Sequence, residues 1–410
     1  MDNLKPTRFR SNLSASERKG LQWLLQEIHE GDLRIVKADK GGALCIMDKA
    51  VMRNFELDKL GQTDRFQCLG ETDPSLAAHS TLLDLWRYGE DHNLVSRDVC
   101  YDVVGLCSKK DGKKQRPSTS AVFKPGTSYY YGLLKIHKLD PSDLTPGVKI
   151  PIRLINDLSQ SVTSRSDKYI NWKYLQPLQD DFCCDLIKDS SEALRWLESL
   201  ESKTRPRNIS PSTFSLDFEA LYDNLTPDLV LRALKVAIRE QRPDWTDEFV
   251  TWLLDLVSLS LDSSFGKLGR FWYKSIIGIA TGGSLSVSLA NIAVFYALRL
   301  ATEGSLPADL VGMSRFIDDL SGLWDGSLVS YCEWIDSVNA KLMEVGLSLK
   351  SDPLAKWDFN PSGVYSVFLD IKYICSMTKV FYKLTLISRK RMPVFIYIFQ
   401  VSTLVRPFPP

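Results

Sequence analysis

Two adjacent aspartates interrupt an apolar segment in the second half of the chain. Residues 314–324 read SRFIDDLSGLW, so Asp318 and Asp319 have large apolar neighbours on both sides. Burying an isolated carboxylate in an apolar strand is costly. We therefore expect the pair to lie at the tip of a hairpin or to bind a cation.

A third carboxylate ends another predicted strand. In residues 213–227, TFSLDFEALYDNLTP, apolar residues alternate up to Asp217, and a helix is then predicted over 227–240. Thr226 suits the N-cap of that helix. The long stretch between Asp217 and Asp318 leaves room for a crossover that makes the two strands neighbours.

Three carboxylates of this kind are suitable ligands for phosphoryl transfer to a 3′-hydroxyl. That reaction uses two divalent ions about 3.5–4 Å apart, and Mg²⁺ prefers oxygen ligands. The pattern predicts that Asp217, Asp318 and Asp319 hold two Mg²⁺ ions, with Mn²⁺ as an alternative. An Asp-Asp pair alone is more often an ordinary turn. A second such pair, Asp180-Asp181, is predicted to be a solvated loop.

The composition is that of an ordinary globular protein. The chain has 410 residues, of which 44% are hydrophobic and 25% are charged, which predicts two or three closely packed subdomains. No apolar run reaches the roughly 18 to 20 residues that cross a bilayer, so we expect a soluble, intracellular protein. The eight cysteines show no C-x-x-C spacing and the four histidines are scattered, so neither a zinc site nor a disulfide framework is predicted.

The charge distribution bears on nucleic-acid binding. The net charge of +1 argues mildly against a nucleic-acid binder. Lysines and arginines nevertheless concentrate in residues 109–153 and acidic residues in 180–201, and such segregation gives a positive groove on a near-neutral protein. A solvated Lys-rich loop at 108–116 explains part of the basic tract equally well.

Hydrophobic periodicity predicts a mixture of helices and strands. Helices are predicted over 14–30, 75–90, 188–201, 227–240 and 285–300, and a strand, a Gly-Gly turn and a strand over 34–47. Two further segments, 129–138 and 148–157, each read as a strand that bears a cation. The expected fold class is therefore α+β.

Seven segments spread over residues 34–385 form a recognisable set. They are RIVKADKGGALCIMDK (34–49), YYYGLLKIHK (129–138), PIRLI (151–155), SLDFEALYDNL (215–225), IGIATGGSLSVSLAN (277–291), RFIDD (315–319) and FLDIKY (368–373). The set resembles reverse transcriptases, and most closely the Penelope-like retroelement group, whose enzymes are related to telomerase. Its breadth makes the resemblance more specific than any single motif.

The resemblance implies a right-hand polymerase fold with fingers and a palm, in which helices back an antiparallel palm sheet. Asp217, Asp318 and Asp319 match the metal-binding triad of the palm. Tyr222 matches the aromatic gate that packs under the incoming sugar and rejects a ribose 2′-hydroxyl. Without Asp217 nearby, plain core packing would be the expected role of this tyrosine.

The resemblance also assigns substrate contacts. Gly282 matches a glycine that lets the backbone approach the nascent base pair, and Ser284 follows it before a predicted helix. Arg153 matches the fingers arginine that binds the triphosphate, a task suited to a planar, permanently charged side chain. Lys135 is expected to be a second phosphate contact. Considered alone, these residues read as a structural turn and solvated cations.

Some positions depart from the pattern of the group. Leu134, Leu154 and Val287 stand where the group has proline, and each loses a fixed φ. Thr281 stands where Met or Gln is usual, next to the template base. These departures leave the metal ligands unchanged and are expected to affect the fidelity of synthesis and the binding of the template.

The predicted domains are 1–125 (N-terminal extension and start of the fingers), 126–205 (fingers), 206–376 (palm) and 377–410 (truncated palm-to-thumb segment). The thumb is expected to be largely missing and no endonuclease to be present, as in a truncated, decayed or mis-spliced copy.

The implied activity is that of an RNA-directed DNA polymerase core of a retroelement. Such a core adds nucleotides from dNTPs to the 3′ end of a DNA primer on an RNA template, and the resemblance implies a nuclear location. Two alternatives stay open. One is a catalytically inactive remnant that at most binds nucleic acid, and the other is a different two-metal palm enzyme such as a primase or cyclase.

Overall fold

The computed structural model describes residues 13–40, 42–104, 108–110, 113–115, 126–139, 149–204, 211–352, 366–369, 371–375, 380–384 and 396–399. Helices and strands are mixed along these ranges, so the prediction of an α+β class is confirmed. None of the helices in the described ranges has the length and apolar character needed to cross a membrane.

The α-helices of the described residues are α1 (Ala15–His29), α2 (Lys49–Leu60), α3 (Ser75–Asp91), α4 (Arg97–Val104), α5 (Ser164–Ile170), α6 (Gln176–Phe182), α7 (Ser190–Thr204), α8 (Leu221–Asn224), α9 (Pro227–Gln241), α10 (Asp247–Asp262), α11 (Ser286–Ala301) and α12 (Leu328–Met343). A 3₁₀-helix covers Ile136–Lys138, and a π-helical turn, Asn171–Leu175, joins α5 to α6.

The strands of the described residues are β1 (Leu33–Lys37), β2 (Leu44–Asp48), β3 (Phe66–Gly70), β4 (Ser108–Lys110), β5 (Lys113–Gln115), β6 (Tyr129–Leu134), β7 (Ile152–Asp157), β8 (Ser212–Phe218), β9 (Phe265–Leu268), β10 (Phe271–Ser275), β11 (Leu310–Phe316), β12 (Asp319–Trp324), β13 (Leu349–Ser351), β14 (Ser366–Phe368), β15 (Ile371–Cys375), β16 (Val380–Leu384) and β17 (Ile396–Phe399). Their sheet orders are β1-β2-β17, β3-β10-β9-β6-β7, β11-β12-β8-β13, β14-β15-β16 and β4-β5.

The chain divides into two compact units, each built from separate segments. One unit comprises Met1–Gly61, Gly132–Leu154 and Lys390–Pro410, and the other Gln62–Tyr131 and Ile155–Arg389. The division falls within β6 and β7. The four consecutive domains expected from the sequence stay a prediction.

The smaller unit is built on the predicted hairpin of β1 and β2. Leu33 pairs with Asp48 and Lys37 with Leu44 in antiparallel register, and Gly42 in the connection has φ +72°. Asp48 caps α2 by accepting a hydrogen bond of 2.7 Å from the backbone N–H of Ala50. Buried apolar residues of these elements form the core of this unit, among them Val36, Cys45, Met47, Met52, Leu134 and Ile152.

The larger unit contains the antiparallel sheet β11-β12-β8-β13, called here the central sheet. Its strand β8 alternates, so that Phe214, Leu216 and Phe218 all lie on one face. That face belongs to the largest buried apolar cluster of the described chain, which includes residues of α9, α10, α11 and α12. The central sheet is therefore backed by helices on one face.

Two helices of this unit form where the sequence predicts them. In α9 the Thr226 hydroxyl accepts a hydrogen bond of 3.2 Å from the backbone N–H of Leu229, and Pro227 occupies the first turn. The apolar stripe of α9 is buried, as is most of α11. Amphipathic or fully apolar spacing with a clear start signal was enough to locate both helices.

Candidate metal centre and active site

Three carboxylates meet at one end of the central sheet. Strand β12 pairs with β8 in antiparallel register, and this register places Asp319 directly opposite Asp217. Asp318 precedes Asp319, and its carbonyl oxygen accepts a hydrogen bond of 3.1 Å from the backbone N–H of Phe218. One carboxylate oxygen from each of Asp217, Asp318 and Asp319 lies within 4.8 Å of the other two.

The face of the sheet that bears these carboxylates is covered at the other end of the strands. Thr213 and Leu323 pair there and are fully buried, next to a second apolar cluster that includes Phe368 and Tyr373 of β14 and β15. The Tyr373 hydroxyl forms a short hydrogen bond with the hydroxyl of Ser321. Asp217 and Asp319, by contrast, are exposed. The carboxylates therefore lie where the apolar cover ends.

Asp318 lies at the tip of a tight hairpin, as the sequence predicts. Strands β11 and β12 are joined by a two-residue turn, Ile317-Asp318, closed by the pair Phe316 and Asp319. Ile317 has φ +54°, which is rare for a β-branched side chain. Such strained residues are stabilised by their surroundings and cluster at functional sites.

Arg315 is the group that stabilises this turn. Its side chain is fully buried, and one guanidinium nitrogen donates a hydrogen bond of 2.9 Å to the carbonyl oxygen of Ile317. The same guanidinium donates to both carboxylate oxygens of Asp185, at 3.1 and 3.4 Å. It also donates to the side-chain and backbone oxygens of Asn291 in α11, at 2.9 and 3.2 Å. All five N–H donors of the arginine are thus used.

Tyr222 lies in the turn that follows Asp217. It belongs to the short helix α8 and is half-buried against the main apolar cluster, so core packing is part of its role. Arg65 holds this turn by donating hydrogen bonds to the carbonyl oxygen of Asp223, at 2.9 Å, and to Asn224 Oδ1, at 3.1 Å. The sequence did not point to Arg65, because no local pattern connects it with a turn so distant in the chain.

Two glycines shape the segment before α11. Gly278 has φ +91°, and a Cβ atom there would lie 2.7 Å from the carbonyl oxygen of Tyr222. Ile279 donates a backbone hydrogen bond of 2.8 Å to that same oxygen. Gly282 has φ +106°, while a Cβ there would make only ordinary contacts, so its conformation is what requires glycine. Ser284 lies in the turn between Gly282 and the start of α11.

Comparison with known proteins gives matches at the level of structure. A structure of apo telomerase from Candida tropicalis matches with a TM-score of 0.54 and 11% sequence identity, over 91% of this chain and 62% of that one. A structure of telomerase from Candida albicans in complex with a TWJ fragment of telomeric RNA matches with a TM-score of 0.55 and 10% identity, over 92% of this chain and 58% of that one.

The chain has a telomerase-like fold. Telomerase is related to reverse transcriptases, so this is a reverse-transcriptase-like fold. The chain spans about three fifths of the length of these telomerases. No protein-family model and no curated protein sequence matches it. Identities of 10 and 11% show the fold and not the activity.

The donor set at this end of the central sheet fits divalent metal ions of the Mg²⁺ type. Asp217, Asp318 and Asp319 offer only carboxylate oxygens, which are the ligands that Mg²⁺ prefers. Three acidic groups this close repel one another unless a cation or a proton compensates. Coordination of Mg²⁺ or Mn²⁺ by these residues remains a prediction.

Lys350 is a neighbour of the carboxylates that the sequence did not indicate. Strand β13 pairs with β8 on the side away from β12, and its register places Lys350 directly opposite Asp217. Side chains of directly opposed residues lie on the same face of a sheet, with Cβ atoms about 4.5–5.5 Å apart. An ammonium group at this position offsets part of the negative charge of the site.

The two predicted phosphate contacts belong to the smaller unit. Arg153 on β7 has a half-exposed side chain, and its Nε lies 3.1 Å from Asp39 Oδ1. The Asp39 side chain is almost fully buried, and its Oδ2 has no hydrogen-bond partner in the described chain. Lys135 lies at the end of β6, and its backbone N–H donates a hydrogen bond of 2.8 Å to the carbonyl oxygen of Pro151. The predicted roles of both cations stay predictions.

Further sequence predictions concern residues outside the candidate site. The pair Asp180-Asp181 lies near the end of α6 and not in a loop, and each residue forms an ion pair, with Lys188 and Arg242 respectively. The expectation of a loop was therefore wrong, whereas both residues are exposed as expected. The Lys-rich loop at 108–116 and the predicted palm-to-thumb segment at 377–410 lie outside the residues whose side chains are described.

Proposed function

We propose that the chain is the core of an RNA-directed DNA polymerase that extends a primer 3′ end by two-metal nucleotidyl transfer. The observation that carries this proposal is the meeting of Asp217, Asp318 and Asp319 within 4.8 Å at the uncovered end of the central sheet. The telomerase-like fold supports the same reaction class. On this proposal the central sheet is the palm, and the segments around β6 and β7 belong to the fingers.

Each site residue has a defined task in the proposed reaction. When bound, two Mg²⁺ ions supply activation of the 3′-hydroxyl and neutralisation of the triphosphate charge. Asp217, Asp318 and Asp319 hold these ions, and Arg315 keeps the turn of Asp318 in place. Tyr222 packs under the incoming sugar and excludes a ribose 2′-hydroxyl by steric contact.

The remaining assignments follow from the sequence resemblance. Arg153 and Lys135 bind the triphosphate, and Gly282 and Ser284 border the nascent base pair. The substrates are an RNA template, a DNA primer and dNTPs. One of the similar telomerase structures contains a telomeric RNA fragment, which supports an RNA partner for this chain. Origin in a Penelope-like retroelement and a nuclear location are part of the same proposal.

Primer extension on an RNA template tests the proposal. The wild-type chain should incorporate dNTPs in the presence of Mg²⁺, and Asp318→Asn should reduce incorporation by at least about a thousandfold because one ligand loses its charge. Asp228→Asn, at an exposed position on α9, is the matched control and should leave the rate unchanged.

A wild-type chain that binds the template–primer and incorporates nothing would instead support the inactive remnant. Incorporation that is equal in Asp318→Asn and in the wild type would contradict the assignment of the metal ligands.

A further inference from the structure

An exposed aromatic side chain lies on the helical segment that runs from α5 through the π-helical turn. Trp172, in that turn, is 67% exposed, more than any other tryptophan or tyrosine of the described chain. Single-turn π-helices are rare and occur frequently at functional sites. A single exposed aromatic residue is common on a protein surface, so the residues around Trp172 decide whether the ring has a ligand.

The exposed charged side chains of the segment that carries Trp172 are basic. Arg165, Lys168 and Lys173 are all exposed, whereas Asp167, the sole acidic residue of segment 164–175, is buried. Neither Lys168 nor Lys173 forms an ion pair with any described residue. We call the surface formed by Arg165, Lys168, Tyr169, Trp172 and Lys173 the Trp172 face.

The Trp172 face is held rigidly against the core. Trp86 is fully buried, and its indole N–H donates a hydrogen bond of 3.0 Å to the hydroxyl of Ser166. The ring of Tyr169 packs edge-on against the rings of Trp86 and Trp172, with distances between ring centroids of 5.8 and 6.4 Å respectively. A surface that is ordered beforehand loses less conformational entropy when it binds a ligand.

We propose that the Trp172 face binds single-stranded nucleic acid. A base stacks on the indole of Trp172, and the flanking phosphates contact Lys168 and Lys173, which lie on either side of the ring in the sequence. Surfaces that bind single strands combine aromatic platforms with cations in this way.

Protein-binding surfaces show a different composition. Their cores are enriched in aromatic residues but depleted of lysine, whereas the single exposed ring of the Trp172 face stands among three cations. The composition therefore favours a polyanion with flat bases over a protein partner. The inference rests on the proposed function, because a templated polymerase must bind an unpaired strand. It concerns the binding of that strand and not the incorporation of nucleotides.

Binding of short single strands by the full chain tests the stacking contact. Fluorescence anisotropy is measured with labelled oligothymidylate and oligouridylate of about 15 nucleotides, which separates DNA from RNA as the preferred strand. Trp172→Ala should weaken binding about tenfold, since stacking on an aromatic side chain contributes about 1–3 kcal/mol per base. Trp172→Phe should retain most of the affinity. Trp23→Ala, at another exposed tryptophan on α1, should have no effect.

A strand of abasic sugar-phosphate units separates stacking from charge. On this strand Trp172→Ala should bind as well as the wild type, because no base is present to stack. The double variant Lys168→Gln/Lys173→Gln should weaken binding of both strands and lower the slope of log K against log salt by about 0.7 for each lost phosphate contact. Lys235→Gln, at an exposed position on α9, is the charge control.

Three results would overturn the inference. The first is unchanged affinity of Trp172→Ala for the base-containing strands. The second is full affinity of Trp172→Leu for these strands, which would show that residue 172 contributes without stacking on a base. The third is an equal loss with the abasic strand. The proposed function is judged separately: Asp318→Asn should still bind single strands through the Trp172 face, and a wild type that binds so but never incorporates dNTPs would contradict only the polymerase proposal.

Discussion

Asp167 is a buried carboxyl group that the proposed chemistry does not use. The Thr163 hydroxyl donates a hydrogen bond of 2.7 Å to Asp167 Oδ2, while Oδ1 has no hydrogen-bond partner in the described chain. Asn171, one helical turn later, also has a buried side-chain oxygen without a donor. Burial raises the pKa of Asp167 to about 7, against the lowering effect of hydrogen bonds from Thr163 and Ser260.

This raised pKa makes stability depend on pH in a defined direction. The folded protein retains the Asp167 proton up to about pH 7, whereas the unfolded chain loses it near the ordinary aspartate pKa of 3.8. The contribution of Asp167 to the free energy of unfolding is therefore complete below about pH 4. It is lost as the pH rises to about 7, at about 1.4 kcal/mol per pH unit.

Asp167→Asn removes this titration and keeps the shape of the side chain. Relative to this variant, the wild type should lose about 3 kcal/mol of unfolding free energy between pH 5 and pH 8. Urea unfolding of both proteins at several pH values measures the difference, and Asp228→Asn serves as the exposed control. A wild-type-to-variant difference that stays constant from pH 5 to pH 8 would show that Asp167 ionises normally.

At the scale of elements, Arg315 connects the hairpin of β11 and β12 with two other parts of the larger unit. Besides its side-chain bonds to Asp185 and Asn291, its backbone N–H donates to the carbonyl oxygen of Asp185 at 2.8 Å. Ile187 donates in return to the carbonyl oxygen of Arg315, also at 2.8 Å. The turn that carries Asp318 is thus fixed by a buried, fully bonded charge.

Arg315→Lys should destabilise the protein although it conserves the charge. Lysine has three donors in place of five, so it cannot replace all the hydrogen bonds that Arg315 donates and some buried acceptors lose their partner. We expect a loss of about 3 kcal/mol of unfolding free energy, with a large loss of primer extension. Arg232→Lys is the matched control, since the exposed pair of Arg232 with Asp228 contributes little. Equal stability of Arg315→Lys and wild type would show that the clamp is dispensable.

The sequence predicted the elements whose pattern is local. The hairpin of β1 and β2 and the helices α9 and α11 have clear periodicity and turn or cap signals, and they were located within one or two residues. The segment from α5 through α6 was not predicted as helical, because its first turns contain Ser, Asp, Tyr and Asn, which are weak helix formers. Tertiary contacts such as the hydrogen bond between Trp86 and Ser166 stabilise it instead.

At the scale of the whole molecule, the sequence indicated which carboxylates would meet but not what holds them. Strand-end acids in apolar surroundings have few stable locations, and the resemblance to reverse transcriptases then connected Asp217 with Asp318. The groups that position the site, such as Arg65 and Asp185, look like ordinary charged residues in the sequence, because their partners lie far away in the chain.

The proposed metal centre should couple metal binding to global stability. Mg²⁺ that binds the native carboxylates and not the unfolded chain stabilises by RT ln(1 + [Mg²⁺]/Kd), about 1.4 kcal/mol at ten times Kd. With EDTA, the mutual repulsion of Asp217, Asp318 and Asp319 remains. The double variant Asp217→Asn/Asp318→Asn should therefore be more stable than the wild type with EDTA and should gain nothing from Mg²⁺.

Thermal unfolding of both proteins with and without Mg²⁺, at ionic strength matched with NaCl, measures these differences in stability. The wild type should gain about 2 °C or more in Tm from Mg²⁺, and Asp228→Asn should gain as much. An equal gain in the double variant would mean that the ions act elsewhere on the protein. Since unfolding reports binding without any catalysis, this measurement separates a chain that holds metal but lacks activity from one whose carboxylates hold no metal at all.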